Sequence, residues 1–290
     1  MENNEIILKV SDLSKNYNSF SLSSINFNVQ KGKITGFIGI NGSGKTTTIK
    51  SLAGLIIPSG GKIEYFGEEI TSKNESRLRN RIGFLLDGDY YYPELTLKQM
   101  KNIVSGAYSD WDEHTFNSYI KKFDLPLNKK IGELSKGMKT QYMLSLALSH
   151  HAELLIMDEP TSGLDPLVRL ELMRILKQLA SQGIGILFSS HITSDLEEIA
   201  DNIVFIHKGN LVFQKTIQEI KSSYFAVEGS LNELTSENKK LFLNIRKYAD
   251  TFKAIYVGNK NDIVLNFPNV KIASATIDDI MIGNIYGCEK

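Results

Sequence analysis

Cysteine is nearly missing from this sequence, because only Cys288 occurs among its 290 residues. One cysteine excludes an internal disulfide and fits a reducing cytosol. Long apolar runs are missing as well. The longest, 142–148 and 184–188, are far shorter than the roughly 20 residues of a membrane helix. If the chain serves a membrane process, we therefore expect another polypeptide to span the bilayer.

Neither sign of charge is in excess, since 33 basic and 33 acidic residues give a formal net charge of zero. A nucleic-acid-binding protein would show clustered basic residues, so we expect no nucleic-acid partner. Residues 1–5 are polar and acidic, which argues against a secretory signal. Hydrophobic residues form 42% of the chain, enough for an ordinary globular core.

Strands alternate with helices along most of the chain, which predicts an α/β fold with a mostly parallel sheet and an N-terminal antiparallel patch. Apolar patterns predict the strands 6–10, 25–29, 33–40, 62–66, 82–86, 153–157, 184–189, 203–207 and 211–213, the last two joined as a hairpin at Gly209-Asn210. We predict a main domain over 1–215, which includes a helical subdomain near 88–152, and a small α/β appendage over 216–290.

Helix starts carry recognisable capping patterns. Thr96 and Gln99 have capping-box spacing, and Ser135 is placed to cap a helix that ends near residue 151. Asp165 precedes Pro166 as an N-cap, and Ser194 with Glu197 predicts another capping box. Further helices are predicted over 45–55, within 108–123 and at 231–248, and further strands over 224–228, 254–257 and 263–267. The helix after Pro166 shows one apolar face, formed by Leu172, Ile175, Leu176 and Leu179.

A phosphate-binding loop is the strongest motif. Residues 39–46 match G-x-x-x-x-G-K-S/T between a predicted strand and a predicted helix, the context that this motif requires. Backbone amides of such a loop and the helix N-terminus bind phosphate oxygens, Lys45 supplies charge, and the Thr46 hydroxyl can ligate Mg²⁺. The expected nucleotide-binding residues here are Asn41, Gly42, Ser43, Gly44, Lys45, Thr46 and Thr47.

Asp158 and Glu159 end an apolar strand. After a phosphate loop, Asp158 is the natural carboxylate for Mg²⁺ and Glu159 is placed to activate water as a general base. A solvated acidic strand end is the alternative for the pair taken alone.

The segment 134–138, Leu-Ser-Lys-Gly-Met, resembles the signature loop of ATP-binding-cassette (ABC) ATPases, usually written LSGGQ. Ser135 and Gly137 are kept, whereas Lys136 and Met138 depart from that pattern. The resemblance implies that this loop covers the ATP held by the phosphate loop of a second subunit. A capped helix N-terminus also provides open amides for an anion.

Other segments resemble this family in the same order. Residues 162–165 resemble the D-loop, His191 resembles the switch histidine that contacts the γ-phosphate, and Tyr17 resembles the aromatic residue that stacks on adenine. The resemblance assigns Lys45, Glu159 and His191 to catalysis. Asp87 stands where the family usually has glutamine, and it is an additional candidate for Mg²⁺.

Residues 89–96, with three adjacent tyrosines, resemble a segment of Gram-positive exporters of antimicrobial or amphipathic peptides, including those of phenol-soluble modulins. Tyrosines suit a wet interface groove because each has an apolar body and a polar tip. A tyrosine-rich loop packed on its own domain is an equally open interpretation.

The resemblance implies an ATPase that uses ATP and Mg²⁺ and powers export of peptides or other amphipathic compounds. It implies a second ATPase subunit, identical or paralogous, and an integral membrane subunit that holds the chain at the cytoplasmic face of the cell membrane. A soluble ABC ATPase acting on nucleic acid or the ribosome is the alternative. A module that senses nucleotide without hydrolysis is disfavoured by the intact Lys45, Asp158, Glu159 and His191.

Overall fold

The computed structural model describes residues 5–88, 91–267 and 269–287. Cys288, the tyrosine-segment residues Asp89 and Tyr90, and residues 1–4 of the polar start lie outside this part of the chain. Among the described residues, the structure contains no helix long and apolar enough to cross a bilayer.

Ten of the described strands form one sheet, in the order β5-β4-β1-β2-β10-β9-β3-β8-β7-β6. They are β1 (Ile6–Asn16), β2 (Ser21–Gln30), β3 (Ile34–Ile38), β4 (Gly60–Tyr65), β5 (Glu68–Glu69), β6 (Ile82–Leu85), β7 (Leu154–Asp158), β8 (Gly185–Ser190), β9 (Asn202–His207) and β10 (Asn210–Thr216). β3, β6, β7, β8 and β9 form a parallel set, whereas β1, β2, β4 and β5 pair antiparallel. The predicted α/β sheet with an antiparallel patch is confirmed.

Helices cover this sheet and fill the insertion between β6 and β7. They are α1 (Lys45–Leu52), α2 (Glu75–Arg79), α3 (Leu97–Ser105), α4 (Glu113–Lys122), α5 (Lys136–Leu148), α6 (Pro166–Ser181), α7 (Thr193–Ile199) and α8 (Ile217–Ser223). The capping box of Thr96 and the caps by Ser135 and Asp165 form as predicted. α4 begins later than the polar segment 108–123 suggested, at an Asp112 cap.

The parallel strands are buried on both faces. Along β7, Leu154 and Ile156 enter one apolar cluster, and Leu155 and Met157 enter the other. This alternation is the consequence of side chains pointing to opposite faces of a strand. Because parallel strands end at the same edge, the residues that follow β3, β6, β7 and β8 meet there, at the position where open α/β sheets bind ligands.

The C-terminal residues form a second sheet, β12-β13-β11-β14, with a helix on each face. Its elements are β11 (Tyr224–Ser230), β12 (Phe242–Lys247), β13 (Thr251–Val257), α9 (Lys260–Asn266), β14 (Lys271–Ser274) and α10 (Ile277–Gly287). The predicted helix over 231–248 is wrong. That segment has only short 3-10 turns before β12, because pairing with β13 and packing of Phe242 against Phe267 outweigh local propensity.

Two further local predictions are wrong. The strand predicted over 263–267 is helix α9, capped by Asn259, with Ile263 and Phe267 one turn apart on its buried face. Ser194 and Glu197 do not form a capping box, since Ile192 holds the N-cap position of α7 without a side-chain bond. Glu197 instead accepts a hydrogen bond from the backbone N–H of Ile277 in α10.

Candidate functional site

The phosphate loop connects β3 to α1. Gly42 has φ of +76° and Gly44 has φ of +112°, values that glycine adopts without strain. A side chain at Gly39 would meet Ser43 Oγ at 2.4 Å. The loop therefore needs its glycines to turn tightly before α1, whose N-terminal amides and dipole favour an anion.

Lys45 is buried at the start of α1. Its Nζ donates to the Gly39 carbonyl at 2.7 Å and lies 3.8 Å from Glu159 Oε1. Burial lowers the pKa of Lys45, whereas Glu159 and Asp158 act to raise it. The ammonium is thus held in the loop by groups that retain its charge.

Asp158 ends β7 and Glu159 follows it. Asp158 Oδ1 accepts from Ser189 Oγ at 2.7 Å. Burial raises the pKa of Asp158, and hydrogen bonds from Ser189 and Thr46 oppose that shift. Glu159 has φ of +50°, an uncommon conformation for a non-glycine residue. Its N–H donates to Ser189 Oγ at 3.0 Å, so the end of β8 fixes the turn that aims this carboxylate.

His191 lies beside Glu159, as the resemblance implies for a shared site. Its Nδ1 is 2.5 Å from Glu159 Oε2, and its backbone N–H donates to the same oxygen at 3.2 Å. The imidazole is half exposed, whereas Glu159 is mostly buried. A hydrogen-bonded pair of Glu159 and His191 therefore faces the phosphate loop.

One cleft of about 580 Å³ gathers most of the predicted residues. Its lining is Ser19, Phe20, Ile40, Asn41, Gly42, Ser43, Gly44, Lys45, Thr46, Thr47, Asp87, Glu159, Ser162 and His191. Asp158 lines a smaller adjoining pocket together with Asp87 and Glu159. Tyr17, Ser135 and Gly137 are not in the cleft lining. Sequence reasoning missed Ser19, Phe20 and the supporting Ser189, none of which lies in a recognisable motif.

Tyr17 stands in the loop between β1 and β2, and its side chain is exposed. Lys15 Nζ lies 5.5 Å from the centre of its ring. Stacking of Tyr17 on adenine stays a prediction, since the ring borders solvent near Ser19 and Phe20 without lining the cleft.

The signature-like segment lies on the helical insertion. Ser135 Oγ accepts from Met138 N at 3.2 Å and caps α5. Gly137 is buried, and a side chain there would meet Val168 of α6 at 3.3 Å. Lys136 Nζ lies 3.3 Å from Asp87 Oδ1. Lys136 and Asp87, two of the three departures from the family pattern, thus form an ion pair within one chain.

The two described tyrosines of this segment differ in their surroundings. Tyr91 packs edge-on against Tyr142 at 6.2 Å between ring centres. Burial raises the pKa of Tyr91. Tyr92 is exposed. Packing on the chain's own domain thus describes Tyr91, and Tyr92 is available to an interface.

The site fits a magnesium–nucleotide complex better than a metal alone. Ser43 Oγ is buried with no hydrogen-bond partner in the described part of the chain. No group of three or more His, Cys, Asp or Glu side chains that could hold a metal occurs in the described ranges. Mg²⁺ commonly takes one or two protein ligands and completes its shell with phosphates and water. Thr46 and Asp158 match that limited donor set.

Comparisons with known proteins agree with this geometry. The family described as ABC transporter matches residues 22–162. The bacitracin transport ATP-binding protein BcrA of Bacillus licheniformis is 38% identical over 219 residues, which cover 74% of this chain and 71% of that protein. The lantibiotic transport ATP-binding protein SrtF of Streptococcus pyogenes is 34% identical, covering 72% of this chain and 90% of that protein.

A solved ATP-binding subunit of an ABC transporter superimposes with a TM-score of 0.67 and 31% identity, covering 74% of this chain and 92% of that structure. The family match, the two relatives and the solved structure all indicate an ATP-binding protein, as the cleft at the phosphate loop does. The chain therefore belongs to the ABC transporter family, as an ATP-binding and ATP-hydrolysing subunit.

Proposed function

We propose that this chain powers export of antibiotic peptides or similar amphipathic compounds through a separate membrane subunit, at the cytoplasmic face of the membrane. The convergence of Lys45, Glu159 and His191 in one cleft carries the catalytic part of this proposal. Relatives named for bacitracin and lantibiotic transport support the cargo class.

In the proposed reaction, Lys45 supplies positive charge to the terminal phosphates of ATP, and loop amides of residues 41–47 hold the phosphate oxygens. Glu159 orients the attacking water and accepts its proton. His191 keeps the Glu159 carboxylate aimed at that water and senses the γ-phosphate. Mg²⁺ would be held by Thr46 and Asp158, with Asp87 nearby, and it would neutralise charge on the phosphates.

A second ATPase subunit, identical or paralogous, completes the site in this proposal. Ser135 and Gly137 lie outside the cleft lining of their own chain, which supports a role toward the nucleotide of a partner. The Ser135-capped N-terminus of α5 offers amides to an anion. Closure of two such chains on ATP, and opening after hydrolysis, would move a membrane subunit attached to both.

An apolar groove of about 420 Å³ is the proposed seat of that membrane subunit. Leu55, Phe84, Ile103, Tyr108 and Met143 contribute to its lining. The loop after β6 places Leu86 in this groove and Asp87 in the nucleotide cleft, which connects the two sites. An amphipathic helix from the cytoplasmic side of a membrane subunit matches a groove of this kind.

The test of the catalytic assignment is Glu159→Gln, which keeps the shape of the side chain and removes the base. We expect ATP binding to persist and hydrolysis to slow by about 10²–10⁴-fold, the usual contribution of a general base. Glu153→Gln, directly before β7 and outside the cleft lining, is the matched control, and we expect it to keep wild-type turnover. Unchanged turnover in Glu159→Gln would remove that residue from the proposed role.

A further inference from the structure

Helix α7 starts directly after the His191 loop, and its first residue is tied to the C-terminal unit. Thr193 Oγ1 donates to Asp278 Oδ1 of α10 at 2.8 Å. Thr193 is buried, with 5% of its surface exposed. The N–H of Ile277 donates to Glu197. Two hydrogen bonds, from residues one turn apart on α7, thus join this short helix to the start of α10.

The same contact is closed by apolar packing. Leu196 and Ile199 of α7 and Ile277, Ile280 and Met281 of α10 belong to one buried cluster. The Thr193–Asp278 hydrogen bond is partly buried, because Thr193 is enclosed whereas Asp278 is exposed. Loss of Asp278 would therefore leave the enclosed Thr193 hydroxyl without its partner. α10 is therefore packed against α7 through both hydrogen bonds and apolar contacts.

The opposite side of α7 is held by α6. Arg169 Nε donates to Asp195 Oδ1 at 2.7 Å, and Asp195 is buried. α6 is capped by Asp165, the last residue of the segment 162–165 that resembles the D-loop. α7 thus lies between α6 and α10. Ile192 connects its N-terminus to His191, whose Nδ1 is 2.5 Å from Glu159 Oε2.

We propose that Asp278 is a positioning residue for ATP hydrolysis: through Thr193 it fixes the N-terminus of α7 and thereby places His191 against Glu159. The C-terminal unit thus sets the turnover rate from outside the cleft. This inference rests on the catalytic role proposed above for His191 and Glu159. Under this proposal, residues 216–290 contribute to ATP hydrolysis, a role that the motifs of residues 39–191 do not assign to them.

A purely structural role of the α7–α10 contact predicts a different result. If α10 only covered apolar surface, loss of the Thr193 hydroxyl would lower stability and leave kcat unchanged. If it positions His191, kcat falls while the KM for ATP stays, because the phosphate loop and cleft that bind nucleotide are untouched.

The experiment compares purified full-length Thr193→Val, Thr193→Ser and Asp278→Ala with the wild type. Valine keeps the size of threonine and lacks its hydroxyl. We expect Thr193→Val and Asp278→Ala each to lower kcat about tenfold at unchanged KM, less than the roughly 100-fold cost of a 1 Å misplacement. Thr193→Ser should keep the wild-type kcat, because it retains the hydroxyl. The double variant Thr193→Val with Asp278→Ala should have the same kcat as either single variant, because both changes remove the same hydrogen bond.

Two further variants separate the possible failures. Asn259→Ala removes the cap of α9, which packs in a different cluster from α10, and it keeps wild-type kcat. His191→Ala is expected to lower kcat by itself and to abolish any further effect of Thr193→Val. If Asp278→Ala does not fold, the valine and serine variants at Thr193 report on the same bond.

Wild-type kcat in Thr193→Val, with His191→Ala impaired, would overturn this inference and leave the proposed function standing. A higher KM with unchanged kcat would overturn it as well, since the contact would then serve nucleotide binding. Wild-type turnover in His191→Ala would overturn both the inference and the proposed role of His191.

Discussion

Asp87 and Lys136 are best understood as one feature. Each departs from the pattern of the family, and their charged atoms lie 3.3 Å apart. Asp87 also faces the carboxylates of Asp158 and Glu159 in the small pocket beside the cleft. The Lys136 ammonium offsets repulsion among these carboxylates. Because both partners are about half exposed, the pair adds little to stability, at most about 1 kcal/mol.

The ion pair predicts the outcome of Asp87→Asn. With its carboxylate directed to Lys136, Asp87 contributes little to metal binding, so the variant should bind Mg²⁺-ATP with an affinity within about threefold of the wild type, a change under 1 kcal/mol. Asp158→Asn is the comparison variant and should bind several times more weakly. Titration calorimetry in the presence and absence of Mg²⁺ measures both. An equal loss in the two variants would place Asp87 on the metal.

Elements with local signals were predictable from sequence, and those decided by distant contacts were not. The phosphate loop, the Thr96 capping box and the Asp165 cap rest on neighbouring residues, and each forms as predicted. Glu197 has the spacing of a capping residue but bonds to Ile277, which is remote in sequence. The motifs predicted the cleft, whereas Ser19 and Phe20 line it, and Ser189 supports Asp158 and Glu159, through the sheet topology alone.

The groove between α1, β6, α3 and α5 yields a prediction for these elements. Leu55 and Ile103 line it, and each is about half exposed. Exposed apolar side chains grouped in one groove are typical of an interaction site. Leu55→Asp with Ile103→Asp should reduce the fraction of tagged chain recovered with membranes from host cells at least severalfold, because two buried charges oppose docking. ATP binding should persist.

Leu265→Asp is the matched control for the groove. Leu265 is an exposed leucine of α9, remote from the groove lining, and its charge should not alter membrane recovery. Equal membrane recovery of the groove variant and the wild type would show that the membrane subunit attaches elsewhere.

At the scale of the whole molecule, the cleft of one chain does not contain all the residues that the family resemblance assigns to the nucleotide. Lys45, Glu159 and His191 line the cleft, and Ser135 does not. In the two-chain site proposed above, the amides of α5 would come from the second chain. Hydrolysis would remove the charge arrangement that holds the two chains together, so a variant that binds ATP without cutting it should accumulate the closed dimer.

Ser135 allows this division to be tested without loss of its helix cap. Serine, asparagine and aspartate cap helices about equally well, yet only aspartate adds a negative charge where the partner's triphosphate is expected. In a Glu159→Gln background with ATP, Ser135→Asn should elute as a dimer and Ser135→Asp as a monomer on size-exclusion chromatography with light scattering. As single chains, the two variants should bind ATP equally, because Ser135 is absent from the lining of its own cleft. A full dimer with aspartate would mean that α5 does not face the nucleotide of the partner, and the proposed two-chain site would fail while the single-chain cleft remained intact.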